Sequence, residues 1–479
     1  MRELVLSLLV SLAALGQAPI PSHQELKFPP LRPVRIPHVE QCALPNGMRV
    51  YLLENHELPL VSGLALVRTG NLFEPPNKVG LAGITGSVMR SGGTRRKNGN
   101  DLDVELENIA ASVESSIGET SGQVAFSALR ENTDQVLGIF KDVLTAPAFP
   151  QDKIDLAKTQ ARSHIARRND DPEEIAVREF TDTVYGKNTP YGWRVEYRTI
   201  SNITRDDIVA FHRRYYFPAN IMLAVYGDFS TPVMKAKLER LFGTWGVTQP
   251  PVPPFPAVQS TPESGVFVAT KLDVNQSVFY IGHLGGVLSD KNNPALEIMA
   301  DILGGGFSSR LFMRVRTNLG YAYSISADWS AAYDHPGLFT IAGSTKSNST
   351  TEAIQVVRQE VEKMRTSEVR DSELRTAKQT ALNSFIFNFD TPSKTLSRLL
   401  RYEYFGYPKD FIFRYQKAVE AVTKADVLLV ARRYLRPKEF TIVVVGNPAA
   451  FGKPLTALNL PLRPIDLTIP QPSTTVAEK

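Results

Sequence analysis

Thr204–Gly227, TRDDIVAFHRRYYFPANIMLAVYG, recurs near the other end of the chain as Thr423–Gly446, TKADVLLVARRYLRPKEFTIVVVG. Thr204/Thr423, Arg214/Arg433, Tyr215/Tyr434, Pro218/Pro437 and Gly227/Gly446 share one offset of 219 residues. Upstream, Ala157-Lys158 and Ala377-Lys378 recur at an offset of 220. Identities held at a near-constant offset mean an internal duplication, here of a unit of roughly 200 residues. The repeated stretch reads as helix then strand. Thr204 and Asp207 have the spacing of a capping box, with Asp in the Glu position. The helix runs to Tyr216, and Asn220–Tyr226 is an apolar strand. Each half is therefore an α+β unit.

Outward from this anchor, the first half opens at Gln41. Leu44-Pro45-Asn46-Gly47 predicts a hairpin with a type I′ turn, because Asn-Gly accepts positive φ at both central positions. Strands follow at 49–54 and 60–69, then two more within 110–128, with helices at 132–144, 151–167 and 172–185. In the second half the pattern gives strands at 266–269, 277–283, 321–329 and 337–343, and helices at 294–303, 350–365 and 371–388. Between the halves, TQPPVPPFPAVQSTPESG is rich in proline and reads as an extended, semi-rigid, hinge-like linker. The expected organisation is 1–16 signal peptide, 17–40 extended arm, 41–247 first domain, 248–265 linker, 266–448 second domain and 449–479 tail. Duplicated halves joined by such a linker suggest a bilobal clamp, whose sheet edges accept a peptide strand.

The first residues, MRELVLSLLVSLAALGQAP, carry one arginine, an apolar run from Leu4 to Leu15 and the small residues Ala14 and Gly16. They read as a secretory signal peptide. The run is shorter than the roughly 20 apolar residues of a membrane span, and nothing later reaches that length, so a soluble, exported protein is expected. The 479 residues carry a net charge of +5, with no basic stripe interleaved with aromatics, which gives no case for nucleic acid. Cys42 is the only cysteine. That excludes an internal disulfide and a cysteine-based zinc site, and a buried free thiol is expected.

The familiar catalytic signatures are absent: H-E-x-x-H, H-x-x-E-H, G-x-S-x-G and the phosphate loop. The seven histidines are scattered, none at helical metal-pair spacing. Two stretches stand out. In Val79–Thr94, VGLAGITGSVMRSGGT, a helical apolar stripe carries Gly80, Gly83 and Gly86, each about 1 kcal/mol worse than alanine in a helix. Such a helix either has a neighbour pressed against it or has lost side chains. The other is Leu303–Ala327, LGGGFSSRLFMRVRTNLGYAYSISA. Here Gly304, Gly305 and Gly306 precede a helix expected from a Ser308 cap to Asn318. Bare amides beside a helix start suit a peptide or an anion; a turn needing glycine conformations is the plainer reading.

Five segments, in this order and spacing, resemble the pitrilysin/insulinase family of zinc metallopeptidases, the inverzincins. They are LPNGMRVYLLENHELPLV, KVGLAGITGSVMRSGGT, RNDDPEE, YYFPANIMLAVYGD and GGGFSSRLFMRVRTNLGYAYSI. The likeness spans Gln41 to Pro448 and points to the branch with mitochondrial processing peptidases and bacterial two-subunit enzymes. It implies two homologous α/β-sandwich domains, each an antiparallel-rich sheet with helices on one face, in a clamp-like pairing of two chains. The family carries H-x-x-E-H on the helix corresponding to 81–89, two histidines for zinc and a glutamate as general base. In this chain the first histidine falls on Gly83, the glutamate on Gly86 and the second histidine on Ser87. The third ligand falls on His164. Glycine has no ligand atom and serine is a poor one, so the resemblance implies no cofactor in this chain. The family's arginine and tyrosine of the second domain match Arg316 and Tyr323, which reach substrate beside a zinc site. The implied function is the non-catalytic subunit of a heterodimeric zinc metallopeptidase, in the bacterial periplasm. Its partner would be a homologous chain carrying H-x-x-E-H and zinc, its substrate a peptide, with Gly304–Gly306 as part of the peptide surface. The alternative is a pseudo-peptidase that only binds peptide or organises an assembly.

Overall fold

Two six-stranded sheets, one from each half, repeat a single strand order in the computed structural model, which describes residues 37–260 and 263–470. The first contains β1 (Glu40–Ala43), β2 (Arg49–Glu54), β3 (Leu60–Val67), β4 (Ser112–Ile117), β5 (Gly122–Leu129) and β6 (Ile221–Gly227). The second contains β7 (Gly265–Thr270), β8 (Gln276–Leu284), β9 (Ala322–Trp329), β10 (Leu338–Lys346), β11 (Thr441–Gly446) and β12 (Leu462–Pro464). Their orders are β1-β2-β6-β3-β5-β4 and β9-β10-β8-β11-β7-β12. Read from opposite ends, these coincide. The strands of the repeated stretch, β6 and β11, occupy the same place in each sheet, with one parallel neighbour and one antiparallel. Only the outer strand beside β2 or β7 differs. β1 pairs antiparallel with β2 as a hairpin, whereas β12 arrives from beyond the second half and pairs parallel with β7. Both sheets are mixed and mainly antiparallel. Both repeats of the capping box also form, Thr204 with Asp207 and Thr423 with Asp426.

Helices of the same half cover one face of each sheet. In the first half α1 (Leu81–Ser91) lies against β4, and α2 (Gln151–Arg167) packs on α1. The other face is covered by exchange. α3 (Pro172–Tyr185) leaves the first half and packs on β8 and β11, where Ile175, Ala176, Phe180 and Val184 meet Phe267, Ala269, Val443 and Val445. After α4 (Asn293–Gly304) and α5 (Asp371–Ser384), α6 (Pro392–Phe405) returns the arrangement, with Leu396 and Leu400 on Tyr51, Leu53, Met222 and Ala224 of the first sheet. Each large apolar side chain among them, such as Phe180 or Leu396, contributes about 1.5–3 kcal/mol by leaving water. Neither sheet can be sealed without the opposite half.

The exchange changes the reading of the linker. Far from swinging freely, it is pinned along the first half. Arg214 donates to the carbonyls of Pro250 and Pro251 (2.9 and 3.0 Å), Tyr191 to that of Pro256 (2.7 Å), and Phe255 stacks on Phe73. The expected intrachain hinge is therefore not what the fold contains. The residues read as a polar tail also differ from expectation up to residue 470. Leu455 and Leu458 are buried in the second core and β12 extends its sheet, because Thr351, Gln355 and Arg358 hold the carbonyls of Lys453, Ala457 and Leu458. Asn46-Gly47 does turn the β1–β2 connection, but only Gly47 takes positive φ (87°), so the turn is not type I′. The Asn46 amide is engaged instead, donating to Phe242 and Trp245 carbonyls. Cys42 is a free thiol, half-buried on β1 rather than fully enclosed. The signal-peptide segment, most of the arm and the last nine residues lie outside the described residues. No helix among the described residues is long and apolar enough to cross a membrane.

Candidate functional site

α1 starts at Gly80, which has a left-handed φ of 105° that a side chain resists. At its start the Glu74 carboxylate accepts from Gly80 N–H (2.9 Å) and Ala82 N–H (2.5 Å), while Leu81 N–H donates to the Lys78 carbonyl (3.1 Å). Burial pushes the Glu74 carboxyl up to about 7, against those two bonds. Leu81, Ala82, Ile84, Thr85, Val88 and Met89 are buried, which leaves Gly83 and Ser87 on the exposed face, one turn apart. A Cβ at Gly83 would touch nothing within 4 Å. At Gly86 the reverse holds: a Cβ would lie 2.4 Å from the Ile117 nitrogen and 2.8 Å from the Ser116 carbonyl carbon. Ser115 Oγ closes the contact by donating to the Gly86 carbonyl (2.6 Å). The resemblance favours lost side chains at both Gly83 and Gly86, and at Gly86 the structure corrects this to a neighbour pressed against the helix. Gly83 is open space, and Gly86 is close approach of α1 to the edge strand β4.

These residues do not fit a zinc ion. Gly83 offers no ligand atom, a side chain at 86 would collide with β4, and Ser87 and His164, the latter on α2, are both exposed. Among the described residues no group of three or more His, Cys, Asp or Glu could hold a metal. Tetrahedral zinc needs at least three such protein ligands.

The second-half pair is brought together. Arg316 belongs to Phe312–Asn318, expected as an ordinary helix but wound as a π-helix, with Leu319 N–H bonding back to Arg314 (3.2 Å) and Tyr321 N–H to Val315 (3.0 Å). Ser308 does not cap it; Arg310 and Leu311 are already helical, and Met313 N–H bonds back to the Ser309 carbonyl (3.0 Å). The widened turns hold the Arg316 guanidinium over the Phe312 ring, 4.6 Å from its centroid, and 5.6 Å from the centroid of Tyr323. Gly320 (φ 63°) ends the helix, and β9 begins at once. Its pairing with β10 slips between Ala322 and Ser324, so Tyr323 is the extra residue of a β-bulge on an edge strand. Bulges re-aim side chains, and Tyr323 is 74% exposed. Among the described residues neither the Arg316 guanidinium nor the Tyr323 hydroxyl has a hydrogen-bond partner or ion pair, which leaves their donors for a ligand. Phe307, 78% exposed, packs edge-on against Phe312 beside them. The neighbouring Arg310 is structural instead: it forms a two-pronged pair with Glu373 (2.9 and 2.9 Å). Burial would raise the Glu373 carboxyl, but Arg310 and Arg370 hold it at about 2.

Gly304–Gly306 have no positive φ, so the reading as a turn needing glycine conformations fails. Gly304 is buried against Ala327 (a Cβ would lie 2.2 Å from its nitrogen), Gly305 lies under the Asp301 carboxylate, and Gly306 is open. Sequence reasoning missed the stacking of Phe312 on Arg316, although their four-residue spacing on a helix was the available signal. The bulge left no trace in the sequence.

Residues 49–192 match the insulinase family, peptidase family M16, and residues 202–381 match the peptidase M16 inactive domain. Helicobacter pylori has a relative named non-peptidase homolog YmxG, 23% identical over 453 residues, or 93% of this chain and 99% of the relative. An uncharacterized zinc protease of Rickettsia bellii is 25% identical over 341 residues, covering 70% and 80% respectively. Among solved structures, the peptidase M16 inactive domain from Pseudomonas fluorescens superposes with a TM-score of 0.78 at 20% identity, over 87% of this chain and all of that one. A protease from Helicobacter pylori gives 0.74 at 20% identity, over 86% of this chain and all of that one. Those two likenesses establish a shared fold.

Proposed function

This chain belongs to the insulinase family, peptidase family M16, with both its peptidase and its inactive domain, and from that premise we propose that it is the non-catalytic subunit of a heterodimeric zinc metallopeptidase. The observation that carries the proposal is the contrast between its two halves. Where family members hold zinc, this chain has Gly83 facing open space and Gly86 closed against β4. Where they carry an arginine and a tyrosine, Arg316 and Tyr323 stand together with unengaged donors on an exposed edge. A pair kept free in a chain with no site of its own to serve fits a role beside another subunit's site.

In this reading the partner carries H-x-x-E-H and performs the hydrolysis. The residues of this chain act on the substrate itself. β9 and β4, each at the edge of a sheet, offer backbone groups to an extended peptide, and the Gly305–Gly306 backbone adds exposed surface. The Arg316 guanidinium, held flat by Phe312, and the Tyr323 hydroxyl donate to the substrate carbonyl oxygen as negative charge builds on it. Export to the periplasm belongs to the same proposal and rests on the N-terminal signal pattern.

Tyr323→Phe removes one donor and no buried contact. The mixed complex of that variant with an H-x-x-E-H subunit is expected to assemble normally and to hydrolyse an unstructured peptide about 10²–10³-fold more slowly. Normal turnover would sink the proposal. The relative named as a non-peptidase homolog supports a second reading, a chain that binds peptide or organises an assembly without catalysis. In that case no subunit mixture containing this chain outperforms the partner alone.

A further inference from the structure

The second half contains a cavity of about 550 Å³ whose lining includes neither Arg316 nor Tyr323. Glu297 and Asp301, one turn apart on α4, line it together with Asp328 of β9. Tyr415 donates to Glu297, as does Asn293 (2.7 Å), and the neighbouring carboxylates act on both acids, Asp328 on Glu297 and Glu297 with Asp328 on Asp301. Burial raises all three carboxyls, and the charge of Glu297 and then Asp328 adds to it at Asp301, which reaches about 6. Among the described residues, none of the three has a cation within ion-pair distance. Glu297 and Asp301 are half-buried and Asp328 is exposed at their side; like charges gathered in one cavity and left unmatched call for a cation or a proton.

The same cavity has the opposite feature. Arg398 of α6 lines it, donating to Tyr402 Oη (3.3 Å) and to Asn388 Oδ1, while its Nε is buried without an acceptor. No carboxylate among the described residues pairs with it. Trp329, only 3% exposed, also lines the cavity, and its indole N–H has no acceptor. Tyr333, Tyr402 and Tyr415 supply aromatic wall, suited to an ammonium group. One cavity thus holds unmatched acids, an unmatched arginine and an unmatched buried donor.

We propose that this cavity binds a short peptide with both termini free, its ammonium held by Glu297, Asp301 and Asp328 and its terminal carboxylate by Arg398. Trp329 N–H donates to a carbonyl between them. The volume lies in the range of small-ligand sites, about 300–1,000 Å³. All of the lining comes from this one chain, so the proposal stands apart from the subunit role and is tested without a partner.

The test is calorimetric titration of the full chain with trialanine, N-acetyl-trialanine and trialanine amide. Trialanine is expected to saturate one site, and either blocked form to bind at least tenfold more weakly. Arg398→Met is expected to abolish the preference for trialanine over its amide, and Asp301→Asn the preference over the acetylated form. Three results would overturn the proposal: no saturable binding of trialanine at millimolar concentration, equal binding of the blocked forms, or unchanged preferences in both variants. The blocked peptides test the unaltered protein, so a variant that fails to fold leaves the outcome decisive.

Discussion

Gly83 and Gly86 lie three residues apart on one helix and should respond oppositely to the same substitution. Gly83→Ala places a methyl group in open space on an exposed helical face, and is expected to raise stability by up to about 1 kcal/mol. Gly86→Ala drives a methyl group into the β4 backbone and is expected to lower it by about 1–3 kcal/mol. Urea midpoints of the two variants decide the matter, and equal effects would contradict the packing described. Asp301 provides a pH test. An unfolded chain releases its proton near the ordinary value of 3.8, whereas the folded chain holds it up to about 6. Between those values the folded state binds more protons, so this group's contribution to stability falls as pH rises across the window and is flat above it. Asp301→Asn is expected to remove that slope, a change of about 1–3 kcal/mol between pH 4 and 7, read from melting temperatures across the range. At this scale the sequence was informative about identity and silent about surroundings. It showed that residues 83, 86 and 87 carry no zinc-binding set, yet the contrast between open and closed glycines depends on a strand thirty residues away.

Elements were legible where periodicity was strong. The strand and helix pair of the repeated stretch, the long helices beginning at Gln151, Pro172 and Thr350 and the central strands all appear where alternation or a 3.6-residue stripe placed them. α6 was not anticipated, although Thr391 caps it, Pro392 opens it and Gly406 closes it. Its apolar face is matched by a sheet in the other half, so no local partner drew attention to it. The π-helical turn at Phe312–Asn318 and the bulge at Tyr323 were equally hidden, because both are settled by where the chain must join an existing strand. The exchanged helices have a measurable consequence. Phe180→Ala and Leu396→Ala are each expected to cost about 2–5 kcal/mol, although each residue packs on a sheet formed by the other half. A loss under 1 kcal/mol in chemical denaturation would mean that the exchange contributes little.

For the molecule as a whole, the exchange predicts one cooperative unfolding transition rather than two. Two separated calorimetric transitions would show the halves to be independent. A fragment ending at residue 247 keeps α3 but lacks both α6 and the surface on which α3 packs, so two apolar faces meet water. It is expected to aggregate or remain partly unfolded, judged by near-ultraviolet circular dichroism. The sequence by itself determined the duplication, the α+β class, the family and the absence of a zinc-binding set at residues 83, 86, 87 and 164, because these follow from residue identities and their spacing. Tertiary structure alone decided that the halves interlock instead of hinging, that Tyr323 is turned outward beside Arg316, and that acids and an arginine far apart in the chain share one cavity. Those features depend on distances between segments remote in sequence, which neither composition nor periodicity records.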